Sequence, residues 1–409
     1  MGSADEQARG RLSITVKICI VSNLYPPVSR GGAETIARRT AHELHLRGHD
    51  VFVVSTQKAW QYVPRVTESN VERVYRFRPA TPYHTLDDHR HAFPVRALWH
   101  LCDMFCRHPA MALGRVLDEE KPDVVLTHNL KGFGMQAVEA IRSRGIRHVH
   151  TLHDVQLAIP SGLLIYGQER AFLNDSFAQR WYERKMSEIV GSPDVVVSPS
   201  RFLSEFYRAR GFFPKSRLEI VPNPAPNIEP PTRTKRPHGP LRVLYAGQLE
   251  THKGIRWLLE ALNALDVPFE LHVAGDGTLS QSVSAWADRD KRVVFHGFCS
   301  LDNLVKLFLI SDAVVVPSLC YENSPTVIYE AFRTGVPVVA ANIGGVGELV
   351  RNGENGYLFE PGDADGLRAA LRKLAVDQDR FWDRSEEIRA GLGDNSLASY
   401  VAKLETLMQ

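Results

Sequence analysis

Short apolar runs rich in valine and isoleucine recur along the whole chain, separated by longer stretches whose apolar positions return every third or fourth residue. In the first half the runs are Val16–Ser22, Val51–Thr56, Asp123–Thr127, Arg147–Leu152, Asp194–Ser198 and Leu218–Val221. The second half repeats the rhythm with Leu241–Ala246, Phe269–Ala274, Arg292–His296, Ala313–Pro317, Val336–Ala341 and Tyr357–Phe359. Near-continuous β-branched runs suit strands buried on both faces, and strands alternating with helices imply parallel sheets. The pattern therefore predicts two α/β domains in tandem. Between them, residues 221–240 are rich in proline and suit a semi-rigid connection. The predicted organisation is a disordered polar tail over 1–14, an N-terminal Rossmann-like domain over 15–222 and a linker over 223–240. A second Rossmann-like domain follows over 241–385, and a C-terminal helix over 386–409 is expected to pack back on the first domain.

Composition narrows the picture modestly. A chain of 409 residues with 44% hydrophobic content can bury two cores. The 49 basic side chains nearly balance the 47 acidic ones, so no nucleic-acid partner is expected. Five cysteines, Cys19, Cys102, Cys106, Cys299 and Cys320, show no CxxC pair and are odd in number. That argues against a disulfide framework or a zinc site and for a reducing cytoplasm. No apolar run reaches membrane-spanning length, and residues 1–14 lack the apolar core of a signal peptide.

In open parallel sheets ligands bind beyond the carboxyl ends of the strands, so chemistry is sought in the loops there. After the first strand, Gly31-Gly32 opens an amphipathic helix and lets a ligand approach its N-terminus. Thr151-Leu152-His153-Asp154 closes the fourth run and presents a histidine at a strand end. Tyr245-Ala246-Gly247-Gln248-Leu249-Glu250-Thr251-His252-Lys253-Gly254 leads from a strand toward a helix, with Lys253 placed as a cation for phosphate. Ala274-Gly275-Asp276-Gly277 and His296-Gly297-Phe298 end two further strands. Taken alone, the glycine motifs are ordinary turns, a lone histidine is usually structural and a lone lysine is usually a surface lysine.

The stretch Tyr321-Glu322-Asn323-Ser324-Pro325-Thr326-Val327-Ile328-Tyr329-Glu330-Ala331-Phe332 carries more. Ser324 as N-cap, Pro325 at the first position, and Gly335 with Pro337 as the stop predict a helix from about Pro325 to Thr334. Glu322 then lies in the loop before a helix N-terminus, which is a natural anion site. Glu330 shares a helix face with Thr326 and Arg333, opposite Ile328, Ala331 and Phe332, so it points either to solvent or into a cleft.

With the following Val336–Ala341 run and the segments Gly344-Gly345-Val346-Gly347-Glu348-Leu349 and Asn352-Gly353-Glu354-Asn355-Gly356-Tyr357, this E-x7-E pair closely resembles the C-terminal signature of the retaining, family 4 glycosyltransferases of the GT-B fold. The Gly31-Gly32 segment resembles their N-terminal loop. The resemblance implies two Rossmann-like domains facing each other across a cleft. It implies His153, Lys253 and Glu322 as catalytic residues. It also implies donor contacts from Gly31, Gly32, Gln248, Lys253, Gly254, Gly275, Gly297, Asn323, Ser324, Thr326 and Glu330, with Glu330 on the ribose hydroxyls and Lys253 on the diphosphate.

One departure stands out, since the family usually carries arginine where Gln248 stands. The activity implied is transfer of a sugar from a nucleotide diphosphate sugar, UDP ahead of GDP, to a hydroxyl of a glycan or lipid-linked acceptor in polysaccharide or glycoconjugate biosynthesis. Retention of anomeric configuration is implied as well, with no cofactor and no metal. Three D-x-D matches, at Asp288/Asp290, Asp363/Asp365 and Asp377/Asp379, follow no buried strand. Two alternatives stay open: a catalytically silent donor-binding subunit, suggested by Gln248, and a nucleotide-sugar epimerase of the same shape. Residues 84–115 interleave histidine and arginine with Phe93, Leu98, Trp99, Met104, Phe105 and Leu113. They are read either as a peripheral membrane face or as a helix covering the sheet.

Overall fold

The computed structural model describes residues 15–28, 31–68, 72–169, 176–226, 233 and 239–409. The tail expected over 1–14 and most of the linker expected over 223–240 lie outside them.

The first sheet contains β1 (Lys17–Val21), β2 (Asp50–Thr56), β3 (Arg65–Glu68), β4 (Arg73–Phe77), β5 (Val124–Thr127), β6 (Arg147–Thr151), β7 (Val195–Ser198) and β8 (Arg217–Ile220). Their order is β3-β4-β2-β1-β5-β6-β7-β8, and every pairing is parallel except β3 with β4. The second sheet contains β9 (Leu241–Ala246), β10 (Phe269–Ala274), β11 (Val293–Gly297), β12 (Ala313–Val316), β13 (Val338–Ala341) and β14 (Gly356–Phe359). It runs β11-β10-β9-β12-β13-β14, parallel throughout. In both sheets the winding reverses beside the first strand, between β1 and β5 and between β9 and β12. Strand-end loops diverge at such a reversal and leave a crevice.

The two-sided burial of the apolar runs is direct. Residues Ile18, Cys19, Ile20 and Val21 of β1 are all fully buried, yet alternate residues serve different layers. Ile18 and Ile20 pack with Ile36, Ala37 and Leu44 of helix Gly32–Leu46, whereas Cys19 and Val21 face the layer that contains Leu113 and Leu117. That is the period-two geometry of a central strand. In the second domain Val243, Val314 and Val338 are equally sealed.

β3 and β4 are additions to the sequence-based expectation. Their sequences, R-V-T-E and R-V-Y-R-F, break the apolar run with charge; the edge strand β3 leaves Val66 exposed, whereas Val74, Tyr75 and Phe77 of β4 are buried on its two faces. The helix expected from Pro325 to Thr334 runs over Thr326–Arg333, with Pro325 as its N-cap. The Ser324 hydroxyl does not cap it, because that oxygen lies 2.8 Å from the Tyr329 hydroxyl.

The chain ends on the domain where it began. Tyr400, Val401, Leu404 and Leu407 of helix Leu397–Met408 join the core around β1. Arg47 and His49 reach Glu405 at 2.8 and 3.0 Å, and Arg147 donates to the Leu407 carbonyl at 3.1 Å. Within the linker, Arg233 is buried with its guanidinium 3.5 Å from the Trp382 ring centroid, donating to the carbonyls of Gly335 and Ser311. Leu404 is fully buried. Leu404→Ala is therefore expected to cost about 2–5 kcal/mol in the first domain's unfolding, read as a lowered denaturant midpoint. An unchanged midpoint would mean that the last helix contributes nothing to that core.

Candidate active site

Two crevices open where the sheets' carboxyl ends face each other. On the second-domain side a cavity of about 580 Å³ is lined by loops after β9, β10, β11 and β12 and by the start of helix Thr326–Arg333. Close backbone approach builds it. Gly254 has φ +77°, and a Cβ there would sit 1.9 Å from the Pro317 carbonyl oxygen. Gly275, at φ +152°, would meet the Gly247 carbonyl oxygen at the same distance. No side chain fits at either position, so these glycines let adjacent loops touch.

The contact places Lys253 against Glu322, with Nζ 2.7 Å from Oε1. Ser318 Oγ donates to the same carboxylate oxygen at 2.7 Å, and Cys320 Sγ lies 3.8 Å from it. Burial disfavours the Lys253 ammonium, but the Glu322 charge, the Cys320 sulfur and the hydrogen bond outweigh it and hold its pKa above the ordinary value. The lysine is thus a fixed, desolvated cation.

Glu330 stands one turn into helix Thr326–Arg333 and lines the same cavity. Its neighbours Ile328, Tyr329, Ala331 and Phe332 are buried in the domain, which leaves Glu330 on the strip facing the cleft. Its carboxyl has no partner among the described residues, and burial raises its pKa to about 7.

The first-domain side holds a second cavity of about 540 Å³, to which Gly31, Lys131, His153 and Asp154 contribute, with Ser324 from the facing domain. Gly32, Gln248 and Thr326 line both cavities and form the throat between them. The Gly31 N–H donates to Glu34 Oε2 at 2.9 Å. His153 Nε2 lies 2.9 Å from His128 Nδ1, with the two rings stacked. Burial lowers the His153 pKa to about 4, so the imidazole is neutral near pH 7. Asp154 Oδ1 accepts the Gln156 N–H at 2.8 Å, and burial raises its pKa to about 6.

The structure thus gathers Lys253, Glu322, Glu330, Gln248, Gly275, Thr326 and Gly32 around one cavity, and His153, Gly31 and Ser324 around its neighbour. Three residues expected at the donor line neither one. Gly254 works as the backbone contact just described. Asn323 turns away and donates from Nδ2 to the His153 carbonyl at 3.1 Å, bridging the domains. Gly297, at φ +66°, redirects the chain so that the next residue, Phe298, reaches the cavity with 82% of its surface exposed.

Two family models tile this architecture: a "glycosyl transferase 4-like domain" over residues 31–224 and "glycosyl transferases group 1" over residues 229–391. The chain is a glycosyltransferase of the family 4 type. This glycosyltransferase is 28% identical over 377 residues to the glycogen synthase of Mycobacterium tuberculosis, covering 88% of its own length and 86% of the relative's. Among solved structures it resembles the sucrose-phosphate synthase of Thermosynechococcus elongatus, with TM-score 0.72, 19% identity and 96% and 98% of the two chains covered. The Anabaena protein HepE in complex with UDP superposes with TM-score 0.66 at 18% identity over 96% and 99% of the chains. No helix among the transferase's described residues is long and apolar enough to cross a membrane.

Sequence reasoning assigned no role to residues 156–190, yet part of that segment holds the glycosyltransferase's Glu322 loop in place. Tyr166 N–H donates to the Leu319 carbonyl and Tyr321 N–H to the Leu164 carbonyl, both at 2.9 Å, so a strand-like strap from the first domain pairs with Leu319–Tyr321. The Tyr321 hydroxyl donates to Glu169 at 2.9 Å, and its ring stacks on Phe202. From the other side, the Glu348 carboxylate accepts the N–H groups of Arg201 and Phe202 at 2.8 and 2.7 Å, capping a first-domain helix with a second-domain side chain. These partners lie about 150 residues apart in sequence, where no local pattern links them.

Ionising Glu330 inside this cleft opposes folding. Its pKa of about 7 exceeds the ordinary 4.5, so the stability carried by the neutral acid is complete below about 4.5 and lost as pH rises through about 7. Glu330→Gln is expected to flatten that window, and melting temperatures measured across it should decline less than those of the unaltered protein. Parallel declines would place Glu330 in solvent.

Proposed function

We propose that this glycosyltransferase moves a hexose-type sugar from a UDP-sugar to a hydroxyl of a growing glycan, with retention at the anomeric carbon and without a metal ion. The observation that carries the reading is the cavity holding a fixed Lys253–Glu322 pair and, separately, the partnerless Glu330.

A nucleotide diphosphate meets each demand of that cavity. Its phosphates match the Lys253 ammonium and the N-terminus of helix Thr326–Arg333, where the first N–H groups lack intrahelical partners. Its ribose hydroxyls can donate to Glu330, which gains the partners it lacks. Phe298 offers a ring for the base to rest on. As the sugar departs, negative charge grows on the diphosphate and positive charge at the anomeric carbon. Lys253 answers the first and the Glu322 carboxylate the second, with Ser318 holding that carboxylate in aim. The cleft side of the His153 loop closes the sugar position with a neutral imidazole.

The throat of Gly32, Gln248 and Thr326 supports retention. Donor and acceptor chambers meet there, so the hydroxyl arrives from the side on which the diphosphate leaves. Gln248 sits there as a neutral hydrogen-bonding group, which leaves Lys253 as the cation of this loop. The UDP-bound Anabaena structure supports uridine as the base, and five unpaired cysteines support work in a reducing compartment such as the cytoplasm.

Calorimetric titration with UDP, GDP and ADP, with magnesium and after chelation, tests this. UDP is expected to bind selectively without metal, and Lys253→Ala to weaken it at least about tenfold, the scale of one lost charge-assisted contact. Glu322→Gln should leave UDP affinity largely intact and cut turnover of the UDP-sugar at least about tenfold. The first-formed sugar anomer, followed by NMR, should keep the donor's configuration. Absence of nucleotide binding, or an inverted product, would reject the proposal.

A further inference from the structure

Helix Phe93–Phe105 is amphipathic in an unusual sense. Its inner side is conventional, with Trp99, Asp103 and Met104 buried. Its outer side, where a soluble helix normally places charge, presents Pro94, Leu98, Leu101 and Phe105 at intervals of three and four residues, with Phe93 71% exposed at the start. No charged residue interrupts the stripe.

It continues onto a second helix. The ring centroid of Phe105 lies 6.1 Å from that of Trp181, which is exposed on helix Phe177–Val190, and Phe177 sits one turn earlier with 80% exposure. Met111 adds a further exposed apolar group just beyond. An uninterrupted apolar face of this kind is not normal for a solvated surface.

Charge at the border bears on what covers it. Arg90 and Arg96 at the start of the helix pair with Asp87 and Asp88, whereas Arg107 and Arg115, both exposed, make no ion pair among the described residues, although Asp118 and Glu119 follow Arg115 on its helix. Arg107 follows the stripe directly, and Arg115 lies one turn beyond Met111 on the same helix side. Arg184 stands one turn from Trp181, 80% exposed and paired with Glu188. Apolar and aromatic groups framed by arginine match the boundary between acyl chains and anionic headgroups. A second copy of the chain matches poorly, because a two-fold contact through this face would set arginine against arginine.

We propose that the outer face of helix Phe93–Phe105, with Phe177 and Trp181, docks this protein on an anionic lipid surface. The same helix contributes Arg96 and Trp99 to the wall of the first-domain cavity, so docking sets that chamber about one helix diameter, roughly 10 Å, from the headgroups.

Co-sedimentation with vesicles of phosphatidylcholine alone and of phosphatidylcholine mixed with phosphatidylglycerol tests it. The unaltered protein is expected to pellet with the mixed vesicles at low salt and to be released as salt rises. Leu98→Glu/Leu101→Glu should abolish binding, and Arg107→Glu/Arg184→Glu should weaken it at least about tenfold, given about 1 kcal/mol for each basic group at such a surface. All four positions are exposed and outside the cleft, so melting temperature and UDP titration should be unchanged in both variants. Absence of binding by the unaltered protein, or full binding by Leu98→Glu/Leu101→Glu, would overturn the proposal. So would a dimer in sedimentation equilibrium that Leu98→Glu/Leu101→Glu dissociates. Loss of UDP binding with vesicle binding intact would sink the donor reading and leave this one standing.

Discussion

The 2.7 Å contact between Lys253 and Glu322 ties together the two loops that flank the switch between β9 and β12. Buried ion pairs seldom add net stability, because desolvating two charges offsets most of their attraction. This pair fixes positions instead. Lys253 reaches it only because Gly254 lets the backbone press on Pro317, and Glu322 holds its orientation through Ser318 on one side and the first-domain strap on the other. Everything the cleft offers a ligand is arranged around that fixed charge pair.

The facing carboxyls illustrate how environment divides labour between like residues. Glu322 is spoken for by a cation and a hydroxyl, whereas Glu330, eight residues later, faces the cavity with neither. The first is held in one orientation before any ligand arrives. The second is held near its titration point, where a ligand that supplies hydrogen-bond donors stabilises the ionised form.

Much of this was legible in the sequence, for reasons that differ by element. β1, β12 and β13 were readable because strands sealed on both faces carry unbroken apolar runs, and β3 and β4 were not because charged residues interrupt theirs. Lys253, Glu322 and Glu330 stood out through the family resemblance, which their spacing from a helix start and a strand end permits. The direction of Glu330 did not, since a helical wheel cannot say which side has a neighbour. Glu348 and the strap around Ile165 were invisible, because each acts through a partner in the other domain. The direction of the Asn323 amide was hidden for a related reason, since it reaches across to the His153 carbonyl in the other domain.

The return of helix Leu397–Met408 to the first domain means that the backbone passes between the domains twice, once near Ala225 and once near Asn395. These passages are themselves joined, with the Ala225 N–H donating to the Asn395 carbonyl at 2.9 Å, and Arg39 holds the Ala225 carbonyl from the first domain. A single tether would let two bodies swivel freely. Two tethers bonded side by side restrain the domains more than one would, and any opening of the cleft must also part the strap and the Glu348 cap. The molecule is topologically a clasp: cutting it at the linker would not yield two independent halves, because one half would keep the last helix of the other.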